Sequence, residues 1–240
     1  MNSININITQ WSALSSGLIE SNDWLKWSKN NKQWPAKPAP APDFLIPPMM
    51  RRRMSSLSKL ALQSALQISA QRKIDYIVFS SRHGELTRTV KLIEDIINGG
   101  DASPIFFSQS VHNTAAGLFT IAAKRTTPVT SLAAAENSLH YAVIEAGAYL
   151  QENPLDTVLL VNFDEPLAAP YQQFETQTYP GYALAMLLTT GDKFQLNWSK
   201  NQDSLPTDYP QAFDFIEYLL NNKKNTSICS KRTNWLWEKN

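Results

Sequence analysis

Few side chains in this sequence can carry out acid–base or nucleophilic chemistry. The 240 residues contain three histidines, His83, His112 and His140, and one cysteine, Cys229. No G-x-G-x-x-G, G-x-x-x-x-G-K-[ST] or G-x-S-x-G motif occurs, so neither a phosphate-binding loop nor a hydrolase-type nucleophile is predicted. A single cysteine also excludes an internal disulfide framework and a cysteine-based metal cluster. The motifs alone therefore give weak support for an enzyme, and we expect no metal and no cofactor.

Each of these residues has a structural interpretation that is more common than a catalytic one. His83 precedes a glycine and fits a turn, and Cys229 fits an incidental thiol in a polar tail. His112 and His140 lie on two segments rich in small residues, where a core histidine bonded to a backbone carbonyl is the usual outcome. His112 lies beside Asn113 and also fits a surface that faces a partner.

Charge and hydropathy narrow the class of protein. Lys and Arg number 22 and Asp and Glu number 21, which leaves a net charge of +1 and no basic surface for nucleic acid. The longest apolar runs, such as 182–188, are far shorter than the ~20 residues of a membrane span. The first ten residues lack the features of a secretory signal. These observations predict a folded cytoplasmic protein without a membrane span.

The elements that must position these residues alternate between strand and helix. Strands are predicted at 4–8, 74–81, 128–133, 156–166 and 181–190, because these runs are apolar or alternate and have polar borders. Helices are predicted from Ser55 or Ser56 to about 72, and at about 86–97, 111–124 and 136–153. The order predicts an α/β fold in one domain over residues 1–240, with a mainly parallel mixed sheet and helices on both faces.

The ends of the chain differ in composition from this body. All seven tryptophans lie outside 35–197, so we expect the ends to pack as flaps, with 191–240 a tail that holds one helix at about 210–221. Six of the 14 prolines fall between Pro35 and Pro48, which predicts an extended connection over 34–54. Three arginines, Arg51, Arg52 and Arg53, end this connection. They fit either a solvated turn with carboxylate partners or a docking point for an acidic protein.

Residues 103–165 resemble the N-terminal half of the β-ketoacyl synthases, which have the thiolase fold. The shared frame consists of Ser103, Pro104, Phe106, Asn113, Gly117, Pro128 and the strand that ends in Glu165. Ungapped matching puts the position of the family's nucleophilic cysteine at Glu136, and a shift of one residue puts it at Ala135. The family's two catalytic histidines come from a C-terminal half, and no matching segment is found in this sequence. The resemblance therefore implies a thiolase-like half-fold without catalytic residues.

A narrower resemblance is to the chain-length-factor subunits, which lack the cysteine and pair with an active ketosynthase. The segments PPMMRRRMSSLSKLALQSA, SSRHGELTRTVKLIEDI and WLWEKN are similar to a short version that accompanies ketosynthases in aryl polyene gene clusters. This implies a non-catalytic subunit that forms a heterodimer with a ketosynthase and shapes its acyl pocket. The other implied partner is an acyl carrier protein with a phosphopantetheine-bound chain.

The same resemblance implies which residues meet these partners. The strand at 128–133 is expected to pair across the dimer, with His112, Asn113 and Thr130 at the interface. Phe106 and Val111 are expected to reach the acyl tunnel of the ketosynthase. The arginines at 51–53 are candidates for docking the acidic carrier protein.

Two alternatives remain open at this point. Glu136 is expected to be an ionised residue at a helix start, because the helix dipole stabilises its charge and makes it a weaker base. Some relatives carry glutamine at this place, where it is tied to malonyl decarboxylation, so a malonyl-thioester decarboxylase that uses Glu136 is one alternative. A simple acyl-carrier docking module is the other.

Overall fold

The computed structural model describes residues 2–101, 103–202, 205–221 and 223–240. Within these ranges the strands are β1 (Asn2–Ser15), β2 (Tyr76–Ser80), β3 (Val129–Leu132), β4 (Val158–Asp164), β5 (Tyr182–Lys200), β6 (Asn225–Cys229) and β7 (Thr233–Lys239). The helices are α1 (Ser21–Lys29), α2 (Pro48–Arg51), α3 (Ser56–Ser69), α4 (Leu86–Ile97), α5 (Pro104–Ser108), α6 (Thr114–Ala122), α7 (Ser138–Glu152) and α8 (Gln211–Leu220). A 3-10 turn at Ala135–Asn137 leads directly into α7. No helix among these residues is long and apolar enough to cross a membrane.

The strands form one mixed sheet in the order β3-β2-β4-β5-β7-β6, and β1 lies along the free edge of β5. The long strand β5 pairs with β4 through its first half and with β7 through its second half. Parallel pairing is confined to β3, β2 and β4. The other pairings are antiparallel, so the parallel part of the sheet is narrower than predicted. Strand β3 forms one edge of the sheet.

The terminal segments are strands of this sheet rather than flaps. β1 extends the predicted strand at 4–8 to fourteen residues. Residues 191–200 continue β5, and β6 and β7 add two further strands, so the region predicted as a tail is largely sheet. Trp235 and Trp237 alternate along β7 and are fully buried on one face of the sheet. Such pairing is difficult to predict from local sequence, because the partner strands are far apart along the chain.

Helices cover both faces of the sheet, as predicted. α3 and α6 pack on one face, and α7 packs with α1 and α8 on the other. Helix α3 begins as predicted, because the hydroxyl of Ser55 caps it by accepting the amide proton of Ser58 at 2.9 Å. Residues 34–47 form neither helix nor strand, in agreement with their prolines.

Two helices expose apolar side chains that the sequence pattern predicts to be covered. α6 buries Ala115 and Phe119, but Gly117 and Ile121 lie on its open side, and Ile121 is 66% exposed. In α4 only part of the predicted apolar face is buried, since Ile93 and Ile97 point to solvent. The small-residue helix is therefore half buried rather than enclosed.

Candidate functional site

The turn from β3 into α7 carries both positions predicted for the nucleophile. Ala135 has a φ of 48°, in the left-handed region that a residue with a Cβ seldom adopts. The hydroxyl of Ser138 holds this conformation by accepting the amide proton of Ala134 at 3.0 Å and donating to the Ala135 carbonyl at 2.7 Å. Strained strand-to-helix turns present nucleophiles in other enzymes, and in this turn the residue in the left-handed region is Ala135. A methyl group has no nucleophilic chemistry.

Glu136, the other predicted position, is held by the C-terminal part of the chain. Its Oε1 accepts the backbone N–H of Lys231, in the connection between β6 and β7, at 3.0 Å. The side chain is partly buried and lines a cleft of about 530 Å³. Arg82 and Gln177 line the same cleft and are hydrogen bonded to each other at 2.6 Å. The arrangement gives Glu136 a structural partner beside a solvent-accessible cleft.

His140, two residues into α7, belongs to a buried network that the sequence did not reveal. Its Nδ1 lies 2.6 Å from Oε1 of Gln211, and its Nε2 accepts the indole N–H of Trp237 at 3.0 Å. The ring stacks on Trp235, with centroids 4.6 Å apart. Complete burial lowers the pKa of His140 to about 3, opposed by the Gln211 hydrogen bond. His140 is a core histidine, as predicted, but its partners are side chains rather than a backbone carbonyl.

His112 is anchored to the loop that follows β2. Its Nε2 lies 2.9 Å from the carbonyl oxygen of Ser81. Gly84, at a φ of 56°, packs so closely that a Cβ there would lie 2.9 Å from the Cα of His112.

The same loop is bound to the buried carboxyl group of Asp164. The Ser81 hydroxyl and the Arg82 amide both donate to Oδ1 of Asp164 at 2.8 Å. Burial raises the pKa of Asp164 to about 6, with Arg82 opposing that shift. This carboxylate therefore fixes the loop that holds His112.

The predicted interface residues fall into two neighbourhoods. His112, Asn113 and Thr130 line a common cleft of about 410 Å³ between α6 and the edge strand β3. Val111 precedes them and is exposed. Phe106, on α5, is 49% exposed and lines a different cavity. We call the exposed side formed by α5, α6 and β3 the α6–β3 face.

Phe106 borders a cavity of about 280 Å³ whose walls are partly polar, and the sequence pattern did not predict this cavity. Glu85, only 3% exposed, accepts hydroxyl protons from Ser55 at 2.7 Å and Ser58 at 2.5 Å. Glu165 also lines this cavity, and burial raises its pKa. In the sequence, Glu165 was noted only as the end of a strand in the resemblance frame. Glu85 comes from a separate element, so no pattern along the chain linked the two residues.

The three arginines at 51–53 have different environments. Arg51 forms an ion pair with Asp43 at 3.2 Å, which is the carboxylate contact that the sequence allowed. Arg52 and Arg53 are exposed, and no salt bridge to either is found within the described part of the chain. Two of the three guanidinium groups therefore remain available to a partner.

Cys229 and His83 are the two remaining residues with possible chemistry. Cys229 ends β6 rather than lying in a polar tail, and its Sγ donates to Oδ1 of Asn234 at 3.3 Å. No cluster of three or more metal-ligating side chains exists among the described residues. His83 is exposed in the turn after β2, as predicted.

Comparison with known families decides the class of this fold. Residues 24–238 match the family model described as the β-ketoacyl synthase N-terminal domain. The chain belongs to the β-ketoacyl synthase N-terminal domain family. No curated protein matches its sequence.

Solved structures agree with the family of the β-ketoacyl synthase domain. A structure described as the ketosynthase ApeO in complex with its chain length factor ApeC, from Xenorhabdus doucetiae, contains a chain 27% identical to this one, with a TM-score of 0.89. The match covers 98% of this chain and 100% of that chain, so the two have nearly the same length.

Two further structures share the fold alone. The ishigamide ketosynthase/chain length factor matches with 17% identity and a TM-score of 0.63, over 83% of this chain and 68% of that one. The ketosynthase from module 6 of the bacillaene synthase of Bacillus subtilis 168 matches with 11% identity and a TM-score of 0.56, over 85% of this chain and 42% of that one. The predicted thiolase-like α/β fold is confirmed.

Proposed function

We propose that this chain is a cytoplasmic, non-catalytic chain-length-factor subunit that pairs with an active ketosynthase and shapes its acyl pocket in aryl polyene biosynthesis. The proposal is supported by the match, over nearly the full length of both chains, to a chain from a complex described as a ketosynthase with its chain length factor. The ketosynthase supplies the nucleophile, and this chain supplies a surface.

The observation that carries the proposal is the α6–β3 face. Edge strands with unpaired backbone groups tend to pair with another chain, and β3 is such a strand. Large apolar side chains on α5, on α6, in the connection between these helices and on β3 are exposed, which is typical of a protein–protein interface. They are Ile105, Phe106, Phe107, Val111, Ile121 and Val129. In this proposal β3 pairs with the ketosynthase, and α6 packs against it through its open side.

The acyl pocket of the ketosynthase then ends against this chain. Phe106 and Val111 are exposed side chains on the α6–β3 face, so both are free to enter a tunnel that opens at the interface. His112, Asn113 and Thr130 line the cleft beside them and are assigned to the same interface. The tunnel length is set by where a bulky side chain blocks it.

The acyl carrier protein is proposed to dock through the arginines at 51–53. Carrier proteins of this type are acidic, and guanidinium groups form bidentate contacts with carboxylate or phosphate. Arg52 and Arg53 are exposed, which suits such a contact. The carrier brings the phosphopantetheine-bound chain to the active site of the ketosynthase.

Co-expression with the ketosynthase and size-exclusion chromatography test the pairing. We expect a stable heteromer, and we expect the chain alone to self-associate because its apolar face is open. A Cβ at Gly117 has no neighbour within 4 Å, so Gly117→Trp should fold but block the α6–β3 face. Glu152→Trp, at an exposed position of α7 on the opposite side of the sheet, is the matched control. Equal pairing by both variants would remove this face from the interface.

The role of Glu136 is tested separately with malonyl- and acyl-carrier thioesters. The isolated chain should release neither CO2 nor free acid above background. Release of CO2 that Glu136→Ala abolishes would instead establish the decarboxylase alternative.

A further inference from the structure

We propose that Arg88 positions the side chain of Phe106, so that the acyl tunnel of the paired ketosynthase ends at one fixed point. The inference deepens the proposed function and rests on it, because Phe106 limits an acyl chain only in the heteromer. Arg88 is a positioning residue rather than a catalytic one, since it acts through the ring of Phe106.

Helix α5, which carries Phe106, has little packing of its own. It is five residues long and buries none of its side chains. Its main neighbour among the helices and strands is α4. A helix this short is not stable by itself and has no buried face to hold it. The contacts that α4 makes with this segment therefore decide where the Phe106 ring lies.

Arg88, on α4, makes these contacts through its guanidinium group. Its Nη1 donates to Oε1 of Gln109, the residue that follows α5. The backbone N–H of Gln109 donates to the carbonyl oxygen of Phe106 at 3.2 Å, so a group that holds Gln109 also holds the end of α5. The guanidinium also lies over the ring itself, with its Cζ 5.9 Å from the ring centroid of Phe106.

The same guanidinium is fixed on its other side to the start of α3. Its Nη2 donates to the carbonyl oxygen of Arg53 at 3.0 Å, and its Nε lies 3.9 Å from Oε2 of Glu85. Glu85 is buried and accepts hydroxyl protons from Ser55 and Ser58. A planar guanidinium has donors for all of these acceptors at once, which a single ammonium group has not. Arg88 thus ties a weakly packed helix to a firmly held part of the fold.

Thr89 provides a second connection between α4 and this segment that does not involve the ring. Its Oγ1 lies 2.8 Å from the carbonyl oxygen of Ser110, beyond the end of α5. Loss of Arg88 should therefore release the Phe106 ring without detaching the whole segment.

The lengths of the products from the reconstituted heteromer test the inference. Arg88→Met keeps an unbranched side chain that packs along the helix but removes every donor. The ratio of products of other lengths to products of the wild-type length should rise about tenfold, since a hydrogen bond to a charged group has at least this effect on two populations. Arg88→Lys should have a similar effect, because one ammonium group does not replace the fork. Glu94→Gln, at an exposed position of α4, is the control and should keep the wild-type ratio.

Two further sets of variants test whether Arg88 acts through Gln109 and Phe106. Gln109→Met removes the acceptor and should reproduce the effect of Arg88→Met, whereas Gln109→Glu keeps an acceptor and should retain the wild-type ratio. In a Phe106→Ala background, Arg88→Met should cause no further change, because the ring through which it acts is absent.

The possible results separate this inference from the function on which it rests. A wild-type ratio in a paired Arg88→Met or Arg88→Lys protein, or an equally large effect of Arg88→Met in the Phe106→Ala background, overturns the role of Arg88 while the pairing stands. Failure of the wild-type chains to pair overturns both. If Arg88→Met does not fold, Gln109→Met takes its place, and an unchanged ratio in that variant also overturns the inference.

Discussion

The indole N–H of Trp237 donates a 3.0 Å hydrogen bond to Nε2 of His140, although the two residues lie 97 positions apart. Because Nε2 accepts, the imidazole proton must lie on Nδ1, where it is donated to Gln211. The Nε2 of Gln211 and the indole of Trp235 in turn donate to Asn137 at 3.1 Å and 2.8 Å. The last strand of the chain thereby fixes the start of α7, directly after the turn that holds Ala135.

This network predicts how stability depends on pH. Burial lowers the pKa of His140 from 6.5 to about 3. Between pH 3 and pH 6.5 this histidine is therefore protonated in the unfolded chain but neutral in the folded chain. The free energy of unfolding should therefore rise by up to about 5 kcal/mol as pH rises from about 3 to about 6.5, and then level off. Urea unfolding across this range measures the slope. In His140→Gln the rise should be much smaller, and parallel profiles for the two proteins would contradict the assignment.

A second buried group should act in the opposite direction. Burial raises the pKa of Asp164 from 3.8 to about 6, so the folded chain holds a proton that the unfolded chain has lost. The free energy of unfolding should then fall by up to about 3 kcal/mol as pH rises from about 4 to 6. Asp164→Asn keeps an oxygen that accepts from Ser81 and Arg82, and it should be more stable than the wild type at pH 8. A less stable Asp164→Asn protein at pH 8 would indicate that the carboxylate is ionised and needed.

The sequence predicted best those elements that local pattern determines. Helix α3 begins at its Ser55 cap because a side-chain hydroxyl and a neighbouring amide are enough to start a helix. Strands β2 and β4 were found because they are buried on both faces and read as continuous apolar runs. These features need no knowledge of distant residues.

The sequence predicted least where distant residues decide the structure. β7 appeared polar because only its alternating tryptophans face the core, and their acceptors, Asn137 and His140, lie on α7. Glu85 and Glu165 line the cavity beside Phe106 but come from separate elements, so their spacing along the chain does not predict the cavity. The apolar side chains of α4 and α6 were all predicted to be buried, because an exposed isoleucine and a buried one have the same hydropathy.

The exposed arginines give a prediction about the carrier protein. Replacing Arg51, Arg52 and Arg53 together with alanine should weaken carrier binding several-fold at low salt and make the remaining affinity less salt-dependent. Most of the loss should come from Arg52 and Arg53, because Arg51 is paired with Asp43. Binding is measured with the intact heteromer, and Arg232→Ala, another exposed arginine, is the control. An unchanged affinity in the triple variant, with pairing intact, would assign these residues to a solvated turn.

Phe106 gives the prediction that bears most directly on chain length. Its ring is half exposed and lines the cavity of about 280 Å³, so in the proposed heteromer Phe106→Ala should join that volume to the acyl tunnel. About half of the ring is exposed, so the loss of stability in the free chain should be below the roughly 3–5 kcal/mol of a buried phenylalanine. The reconstituted pair should then release longer polyenes, which mass spectrometry detects. Phe107→Ala is the neighbouring control, because Phe107 is exposed but does not line the cavity. Products of unchanged length from an intact Phe106→Ala pair would place the end of the tunnel elsewhere, because a side chain that limits the chain must lengthen the product when it is removed.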